Sequence, residues 1–269
     1  MVLMMKMAEW YSETVTRAWN DGARRMARGR PHRALFNVVL TTDAGPNLHP
    51  SCAKRFAIAE LMAYVAGWDD VAWLARFNKN IGQFSDDGIT FRGAYGPRMA
   101  WSWATLFELL ERDPDTRQAI CQIYTPDDLT VESKDKPCNT SFQLQVIDGF
   151  LHMTVYQRSC DLVWGFPYDH FSFCTILILM ANQLNLLPGT VTRLMANAHV
   201  YEPHAQFYGI ERVMKAMEPA QVEMWYPPVL KFDGFRNAAI EARRVMESSG
   251  KVFTSEAAKN LAFFLEGTS

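Results

Sequence analysis

The amino-acid sequence predicts an α+β fold in one domain, and three observations support that prediction. Segments with apolar residues at helical spacing flank a block of consecutive strand-like runs, instead of alternating with single strands as in a parallel α/β sheet. An Asp-Gly pair joins two of these runs directly, which is typical of an antiparallel hairpin. The 269 residues can bury a substantial core, and no repeat, low-complexity segment or linker divides them. We therefore expect one domain over residues 1–269, ending in a helical tail over 220–269.

The first half of the chain predicts mainly helices. Residues 8–28 carry apolar and aromatic side chains at helical spacing, which predicts an amphipathic helix. The β-branched and aromatic run ALFNVVL, residues 34–40, predicts a strand. Residues 52–78 predict two helices with a break at Gly67. A Gly- and Asp-rich stretch over 82–98 then predicts irregular structure, and a helix is expected over 101–115.

The second half begins with strands and returns to helices. The most apolar segment, residues 170–185, predicts a helix at the centre of the molecule. The remaining predictions are strands over 117–125, 139–149, 150–159 and 191–201, and helices over 203–217 and 235–249.

Composition and cysteine usage narrow the class of protein. The hydrophobic fraction of 49% and charged fraction of 21% are those of an ordinary globular protein. A net charge of −2 gives no global attraction to nucleic acid or to an anionic membrane. Five cysteines without a CxxC pair argue against a disulfide framework and a zinc ribbon. The longest apolar run, 173–181, is too short to span a bilayer. We therefore expect a cytoplasmic protein with no metal and with neither membrane nor nucleic acid as partner.

Two clusters of residues suggest chemistry. Cys138 follows a proline where a loop meets a strand, which can expose a thiol to a cleft, although a lone cysteine is more often a small buried hydrophobe. Arg158 with Ser159 is a phosphate-binding pair, and a cation near a thiol favours the thiolate. Arg158 could equally form a surface salt bridge with Asp161.

Polar side chains further along the chain suggest substrate contacts. His199 and Tyr201 are two apart on a predicted strand and therefore share a face, which suits a sugar hydroxyl. Their spacing equally fits a stacked structural pair. Asp169 opens the apolar helix, where a carboxylate is costly unless a partner stabilises it. We interpret that acid as a reader of the substrate.

Short motifs then recur in an order that a known family shares. They are E-x(6)-G from Glu60, GAYG at 93–96, DPDTR at 113–117, PC at 137–138, QRS-x-D at 157–161, GFP at 165–167 and AHVY-x-x-H at 198–204. In combination they resemble the thymidylate synthase family over residues 50–205. The resemblance implies a homodimer with shared active sites, built around a large mixed sheet packed by helices. It also implies a pyrimidine nucleoside monophosphate as substrate and 5,10-methylenetetrahydrofolate as co-substrate.

The resemblance assigns roles to individual residues. Cys138 matches the nucleophile, Glu60 the general acid and base, and Tyr95 a tyrosine close to the nucleophile. The residues that match substrate ligands are Arg158 and Ser159 at the phosphate, Arg117 at the phosphate of the partner subunit, and His199 and Tyr201 at the sugar 3′-hydroxyl. The residues expected at the folate are Ile81, Asp161, Trp164 and Gly165. Either Arg30 or Arg33 matches a further phosphate arginine.

Four departures from the family pattern concern the substrate and the product. Asn139 follows the nucleophile where synthases have histidine, and we expect it to contact the substrate. Gly82 or Phe84 stands where synthases have a tryptophan near the folate, so a more open pocket could admit water. Gln118 replaces the second arginine of a paired motif. The tail ending FFLEGTS is unlike the apolar closing tail of synthases.

Asp169 is the fifth departure, because the family has an asparagine there. An amide is both donor and acceptor, which suits O4 and N3–H of uracil. An ionised carboxylate only accepts, so it suits the 4-amino group of cytosine; a carboxyl that shares a proton could also donate to N3. With the VxGFxxD pattern over 163–169, this change resembles the deoxycytidylate 5-hydroxymethylases of bacteriophages. The resemblance implies that Asp169 reads cytosine and takes part in catalysis.

The hypothesis from sequence is therefore folate-dependent 5-hydroxymethylation of a cytidine monophosphate. Cys138 would add to C6, C5 would capture the one-carbon unit, and water would complete the hydroxymethyl group, converting dCMP to 5-hydroxymethyl-dCMP. Three alternatives stay open: synthesis of 5-methyl-dCMP, action on the ribonucleotide CMP, and a nucleotide- or RNA-binding homologue without catalysis.

Overall fold

The structure is a computed structural model that describes residues 7–27, 29–45, 47–48, 52–203, 223–248 and 252–267. The helices are α1 (Met7–Asn20), α2 (Lys54–Ala66), α3 (Val71–Ala75), α4 (Tyr95–Ala100), α5 (Trp103–Arg112), α6 (Asp127–Thr130), α7 (Phe166–Gln183), α8 (Phe232–Glu247) and α9 (Glu256–Glu266), with a 3-10 helix at Ile81–Phe84. The strands are β1 (Ala23–Ala27), β2 (Arg30–Asp43), β3 (Asn47–Leu48), β4 (Ile120–Gln122), β5 (Asn139–Ile147), β6 (Phe150–Gln157), β7 (Cys160–Asp161), β8 (Leu187–Tyr201) and β9 (Glu223–Met224).

A seven-stranded mixed sheet organises the fold. Its order is β1-β2-β8-β6-β5-β4, with β7 paired to β8, while β3 and β9 form a separate pair. β8 lies parallel to β6 and β7, and the other neighbours are antiparallel. Parallel strands need a crossover, and α7 supplies it between β6 and β8. The predicted α+β class with a mixed sheet packed by helices is confirmed.

The central helix α7 sets the position of the site. The predicted central helix is confirmed, with both apolar and polar residues buried along most of its length. It begins at Phe166, four residues before the predicted start, because Pro167 in the first turn already has a helical φ. Asp169 therefore lies in the first helical turn, where the helix dipole favours an acidic side chain.

The prediction of one helix over 8–28 is wrong at its C-terminal end. α1 stops at Asn20, and only glycine at position 22 permits the close turn that follows, because a Cβ there would lie 2.2 Å from the carbonyl oxygen of Ala18. Residues 23–27 instead form β1, which pairs with β2 across a turn at Gly29 with φ +71°. β1 is almost wholly exposed, and its residues ARRMA do not alternate between apolar and polar. The period-two pattern that predicts a strand is therefore absent.

Other predicted elements match the structure more closely. Gly67 ends α2 in the left-handed conformation, as the predicted break requires. Asp148 and Gly149 form the β5–β6 hairpin turn with φ values of 51° and 81°, as the Asp-Gly pair predicts. The predicted strand over 117–125 shrinks to Ile120–Gln122. The predicted helix over 203–217 lies almost wholly outside the described residues.

The C-terminal helices share the core of the rest of the chain. Phe232 and Phe235 of α8 and Leu261 of α9 are buried in the same apolar cluster as α2 and α7. The part of the predicted tail that the structure describes is therefore largely helical and packs against the core. No helix within the described ranges is both long and apolar enough to cross a bilayer.

Candidate active site

A pocket of about 600 Å³ opens between α2, the 3-10 helix, α4 and the first turn of α7. That volume is typical of a small-molecule site. The predicted residues that line it are Glu60, Ile81, Tyr95, Cys138, Ser159, Asp161, Trp164, Gly165 and Asp169. The structure thus brings together residues that are more than 100 positions apart. Arg117, Asn139, Arg158, His199 and Tyr201 do not belong to its lining.

Cys138 lines the pocket, half-buried, immediately before β5. Arg158 holds the loop that carries it: its Nε and Nη2 donate to the carbonyls of Pro137 at 2.9 Å and Lys136 at 3.0 Å. The backbone N–H of Arg158 donates to the carbonyl of Cys138 at 2.9 Å. Arg158 therefore lies beside the loop that carries the Cys138 thiol, as predicted, and it fixes the backbone on both sides of that residue.

Glu60 on α2 faces the pocket with a strongly altered acidity. Burial raises the pKa of Glu60 to about 8, and the charge of Asp169 adds to the effect. Its Oε2 is buried and makes no hydrogen bond to any described residue. A carboxyl group that titrates near neutral pH and has an uncommitted oxygen can accept and return a proton.

Tyr95 reaches the pocket because α2 and α4 pack very closely. A Cβ at Gly96 would lie 2.4 Å from the carbonyl oxygen of Ala63, so only glycine permits this approach. The Tyr95 hydroxyl accepts a hydrogen bond from the backbone N–H of Asn139 at 3.3 Å. Its ring also packs against Tyr64, with ring centres 5.1 Å apart. The predicted proximity of Tyr95 to the nucleophile is thereby explained.

Asp169 is the best-anchored acid of the site. Its Oδ2 accepts from Nδ2 of Asn139 and from Nε2 of Gln157, both at 3.0 Å. The guanidinium of Arg193 lies 3.5 Å from the same oxygen. Burial raises the pKa of Asp169, while Arg193 and the two amides act in the opposite direction. Asn139, predicted to contact the substrate, lies behind Asp169 and supports it.

The sequence reasoning missed two residues that hold Asp169 and Asn139 in place, Gln157 and Arg193. Arg193 has no exposed surface, although it lies in the middle of β8. Its neighbours on the same face, Val191 and Met195, are also buried, so the period-two pattern of VTRLM already places the arginine on the core face. A charged residue at a predicted core position is the signal that could have identified it.

The residues expected at the sugar form a cluster of their own. His199 and Tyr201 do share a face of β8, with ring centres 4.9 Å apart, and His32 of β2 packs against both. Nδ1 of His199 lies 3.0 Å from Oδ1 of Asn197. This three-ring cluster lies outside the lining of the pocket.

Asp161 shapes the other wall of the pocket. Its Oδ1 accepts from the backbone N–H groups of Val163 at 2.9 Å and Trp164 at 3.1 Å, which fixes the turn that leads into α7. Burial raises the pKa of Asp161 to about 6. A Cβ at Gly165 would lie 3.2 Å from the carbonyl oxygen of Asp161, so the turn is close-packed. Trp164 presents its half-exposed ring to the pocket.

Comparison with known proteins decides the family. A model of the thymidylate synthase family matches residues 9–242. The chain belongs to the thymidylate synthase family. The deoxyuridylate hydroxymethyltransferase of Bacillus phage SP01 is 37% identical over 223 residues, covering 73% of this chain and 57% of the relative. The enzyme of the same name from Pseudomonas phage M6 is 33% identical over 199 residues, covering 68% and 56%.

These comparisons confirm the family resemblance and the thymidylate synthase-like fold. They do not confirm the deoxycytidylate branch, because both relatives are named for deoxyuridylate. The chain spans little more than half the length of these curated relatives.

The pocket fits the co-substrate that the thymidylate synthase family uses, methylenetetrahydrofolate. Aromatic side chains of Trp68, Phe84, Phe91 and Trp164 line it and suit a flat heterocycle. The Asp161 carboxylate supplies an acceptor on the same wall, which suits ring N–H and amino groups. Ile81 and Gly165 complete the set of predicted folate residues in the lining.

The arginines predicted at the phosphate differ in position. Arg117 is exposed on the loop before β4 and outside the pocket of its own chain. Arg30 is also exposed, whereas Arg33 is half-buried, donates to the carbonyl of Trp19 at 3.0 Å and lies 3.9 Å from Glu202. Of the two N-terminal candidates, Arg30 is the more accessible to a ligand.

Proposed function

We propose that this chain catalyses folate-dependent 5-hydroxymethylation of a deoxypyrimidine 5′-monophosphate, and that deoxycytidylate is its substrate. The observation that carries the proposal is the anchored Asp169 carboxylate in a pocket that also contains Cys138 and Glu60. Methylenetetrahydrofolate supplies a one-carbon unit at the oxidation level of formaldehyde.

Two residues of the chain provide the nucleophile and the general base. The Cys138 thiolate bonds to C6 of the pyrimidine, and the electron pair moved to C5 forms the bond to the one-carbon unit. Glu60 helps to remove the C5 proton, and tetrahydrofolate leaves with the electron pair of its N–CH2 bond and takes up that proton, so that an exocyclic methylene stays on the ring. Water then adds to this methylene with Glu60 as its base, and the C6–S bond breaks to restore the aromatic ring.

Asp169 supports cytosine as the base. Oδ2 is occupied by two amide donors, whereas Oδ1 makes no hydrogen bond to any described residue and belongs to a pocket-lining side chain. An ionised Oδ1 accepts a hydrogen bond from the 4-amino group of cytosine and repels O4 of uracil. A site built for one base edge disfavours the other by about 1–3 kcal/mol for each buried group left unpaired.

Deoxyuridylate is the second candidate substrate. The observation in its favour is the name of the two phage relatives. A protonated Asp169 would carry its proton on Oδ1 and could therefore donate to O4 of uracil, as the amide of an asparagine does. The base preference thus depends on one proton.

A homodimer with shared active sites is also part of the proposal. Phe36 and Val39 of β2 are 52% and 54% exposed on the open face of the sheet, beside a groove lined by Leu194 and Met195 of β8. An exposed apolar patch on a sheet is typical of a subunit interface. Arg117 is exposed and outside its own pocket, which fits a contact with the partner's nucleotide.

The deciding experiment supplies the purified chain with methylenetetrahydrofolate and one of dCMP, dUMP or CMP, followed by mass spectrometry of the nucleotide. The proposal expects 5-hydroxymethyl-dCMP as the main product. A methyl product would indicate hydride transfer, a CMP product a ribonucleotide enzyme, and binding without turnover a homologue without catalysis. A marked preference for dUMP would establish the second candidate.

Asp169→Asn is the matched variant for this assay. We expect its kcat/KM to fall for dCMP and to rise for dUMP, by roughly ten- to hundredfold in each direction, because an amide fits the uracil edge. An unchanged ratio of the two kcat/KM values would show that Asp169 has a structural role and that cytosine is not read there.

A further inference from the structure

Arg193 is a buried cation one layer behind the base-reading acid. Its side chain has no exposed surface and does not line the pocket. Nη2 donates to Oδ1 of Asn139 at 3.0 Å and to Oε1 of Gln157 at 2.7 Å. Its Nε and Nη1 make no hydrogen bond to any described residue. The rings of Phe166 and Phe173 lie against the guanidinium, at 5.8 and 5.4 Å.

The guanidinium fixes the orientation of both amides. Arginine can only donate, so Asn139 and Gln157 must each present an oxygen to Arg193. Their nitrogens must then point the other way, towards Oδ2 of Asp169, where each donates at 3.0 Å. Because Oδ2 receives both of these N–H groups, it has no room for a proton of its own. A proton on Asp169 could lie only on Oδ1, the atom left for the base.

The charge of Arg193 requires an anion nearby. A guanidinium stays protonated even when buried, and a buried charge without a counter-ion is strongly unfavourable. In the described part of the chain Asp169 is the acid that pairs with it, at 3.5 Å. An ionised Asp169 therefore completes the pair, whereas a protonated Asp169 would leave the arginine uncompensated.

The other groups around Asp169 do not replace this pairing. Glu60 and Tyr64 approach from α2, Tyr95 from α4 and Cys160 from β7. Each of them is neutral or negative, so none stabilises a carboxylate by its charge. His170 of α7 stays neutral, because burial lowers its pKa to about 3. Arg193 is thus the cation that counters them.

We infer that Arg193 selects the base: it holds Asp169 as a carboxylate with only Oδ1 free to meet the substrate, so that the pocket takes an amino-pyrimidine rather than an oxo-pyrimidine. The inference rests on the proposed function, and Arg193 is a positioning residue that acts through Asp169. It also makes the selection depend on pH, because protonation of Oδ1 would convert the acceptor into a donor.

The test measures kcat/KM for dCMP and dUMP across pH in the whole 269-residue chain. Arg193→Met removes the charge but keeps an unbranched apolar side chain, and we expect the pH at which dCMP becomes preferred to rise by roughly 1–3 units. Arg193→Lys retains a charge and should stay near the original midpoint. Arg98→Met, which breaks the buried Arg98–Asp128 pair outside the pocket lining, serves as the control and should leave the midpoint unchanged.

A second measurement does not need turnover, and its result for the original chain does not need a stable Arg193 variant. Infrared spectra are recorded on the ligand-free protein labelled with ¹³C-aspartate, so that the bands of aspartate are separated from those of Glu60. The carboxyl or carboxylate band that disappears in Asp169→Asn is the band of Asp169. We expect Asp169 to be ionised at pH 7 in the original chain and protonated in Arg193→Met.

A protonated Asp169 in the original chain, or an unshifted midpoint in a folded Arg193→Met, would overturn the inference. Absence of turnover with every nucleotide would instead refute the proposed function, while the infrared result would still decide the state of the pair.

Discussion

Three carboxyl groups of the pocket, those of Glu60, Asp161 and Asp169, have pKa values above the ordinary range because all three are buried. Perturbed acids that converge in one cleft are typical of catalytic sites. Asp161 titrates at about 6 and Glu60 at about 8, so the protonation of the pocket changes across neutral pH. Both the activity and the stability of the protein should therefore depend on pH in this range.

Glu60→Gln should change the pH dependence of stability. Above pH 4.5 the carboxyl group is ionised in the unfolded chain but stays protonated in the folded one up to about pH 8. The folded state then binds the extra proton, so its free energy of unfolding falls as pH rises through this window, by up to about 1.4 kcal/mol per pH unit. Denaturant unfolding at several pH values should show that loss in the original chain and a flatter profile in Glu60→Gln. Parallel profiles would contradict the burial of an acidic Glu60.

Cys138→Ser should abolish turnover and retain nucleotide binding. A serine hydroxyl is far less nucleophilic than a thiolate at neutral pH, while the loop hydrogen bonds from Arg158 go to backbone carbonyls and do not involve the thiol. Calorimetric titration with dCMP checks binding, and mass spectrometry checks the product. Cys121→Ser is the matched control, because that thiol is buried outside the pocket. Normal turnover by Cys138→Ser would exclude the covalent mechanism.

Sequence reasoning predicts side chains that line the pocket but not the hydrogen bonds that hold them in place. Cys138, Glu60 and Asp169 belong to motifs whose order is visible in the chain. Gln157 and Arg193 act through hydrogen bonds between β6, β8 and α7, and those contacts exist only once the sheet has formed. Asn139 was assigned to the substrate for the same reason, since a motif gives the position of a residue but not the direction of its side chain.

At the level of elements, the 3-10 helix at Ile81–Phe84 forms an open part of the pocket wall. A Cβ at Gly82 would meet only a methyl group of Val71, at 3.4 Å, so the position has room for a side chain. The family resemblance places a tryptophan at Gly82 or Phe84 in synthases. If Gly82 is that position, the chain lacks the ring there, and we propose that water reaches the one-carbon unit past this glycine.

Gly82→Trp should therefore shift the product from 5-hydroxymethyl towards 5-methyl nucleotide. A ring that fills the gap would exclude water and prolong the exocyclic methylene until hydride transfer can occur. Mass spectrometry of the nucleotide gives the ratio of the two products, and Gly82→Ala, which adds little volume, is the control. An unchanged ratio in a folded and active Gly82→Trp variant would show that water enters by another route.

At the level of the whole molecule, the proposed homodimer with shared sites can be tested through the exposed Arg117. Arg117→Ala mixed with Cys138→Ser should regain activity, because one of the two sites in each hybrid dimer has both residues. Random exchange predicts roughly a quarter of the original activity, since about half the dimers are hybrids with one working site. Each variant alone gives the baseline, and subunit exchange is verified by mass spectrometry of intact dimers. Subunit exchange without recovery of activity would show that Arg117 does not act at the site of the partner subunit.

The order of the strands along the chain has a consequence for biosynthesis. β2 ends at Asp43, yet its main partner β8 begins at Leu187 and ends at Tyr201. At a synthesis rate of 5–20 residues per second, β2 waits on the order of ten to thirty seconds for that partner to emerge from the ribosome. Until then β1 alone covers one of its edges, and its apolar Phe36 and Val39 remain available to other nascent chains. Slow translation of the middle of the gene should therefore lower the yield of folded protein, and a chain shortened before residue 187 should aggregate.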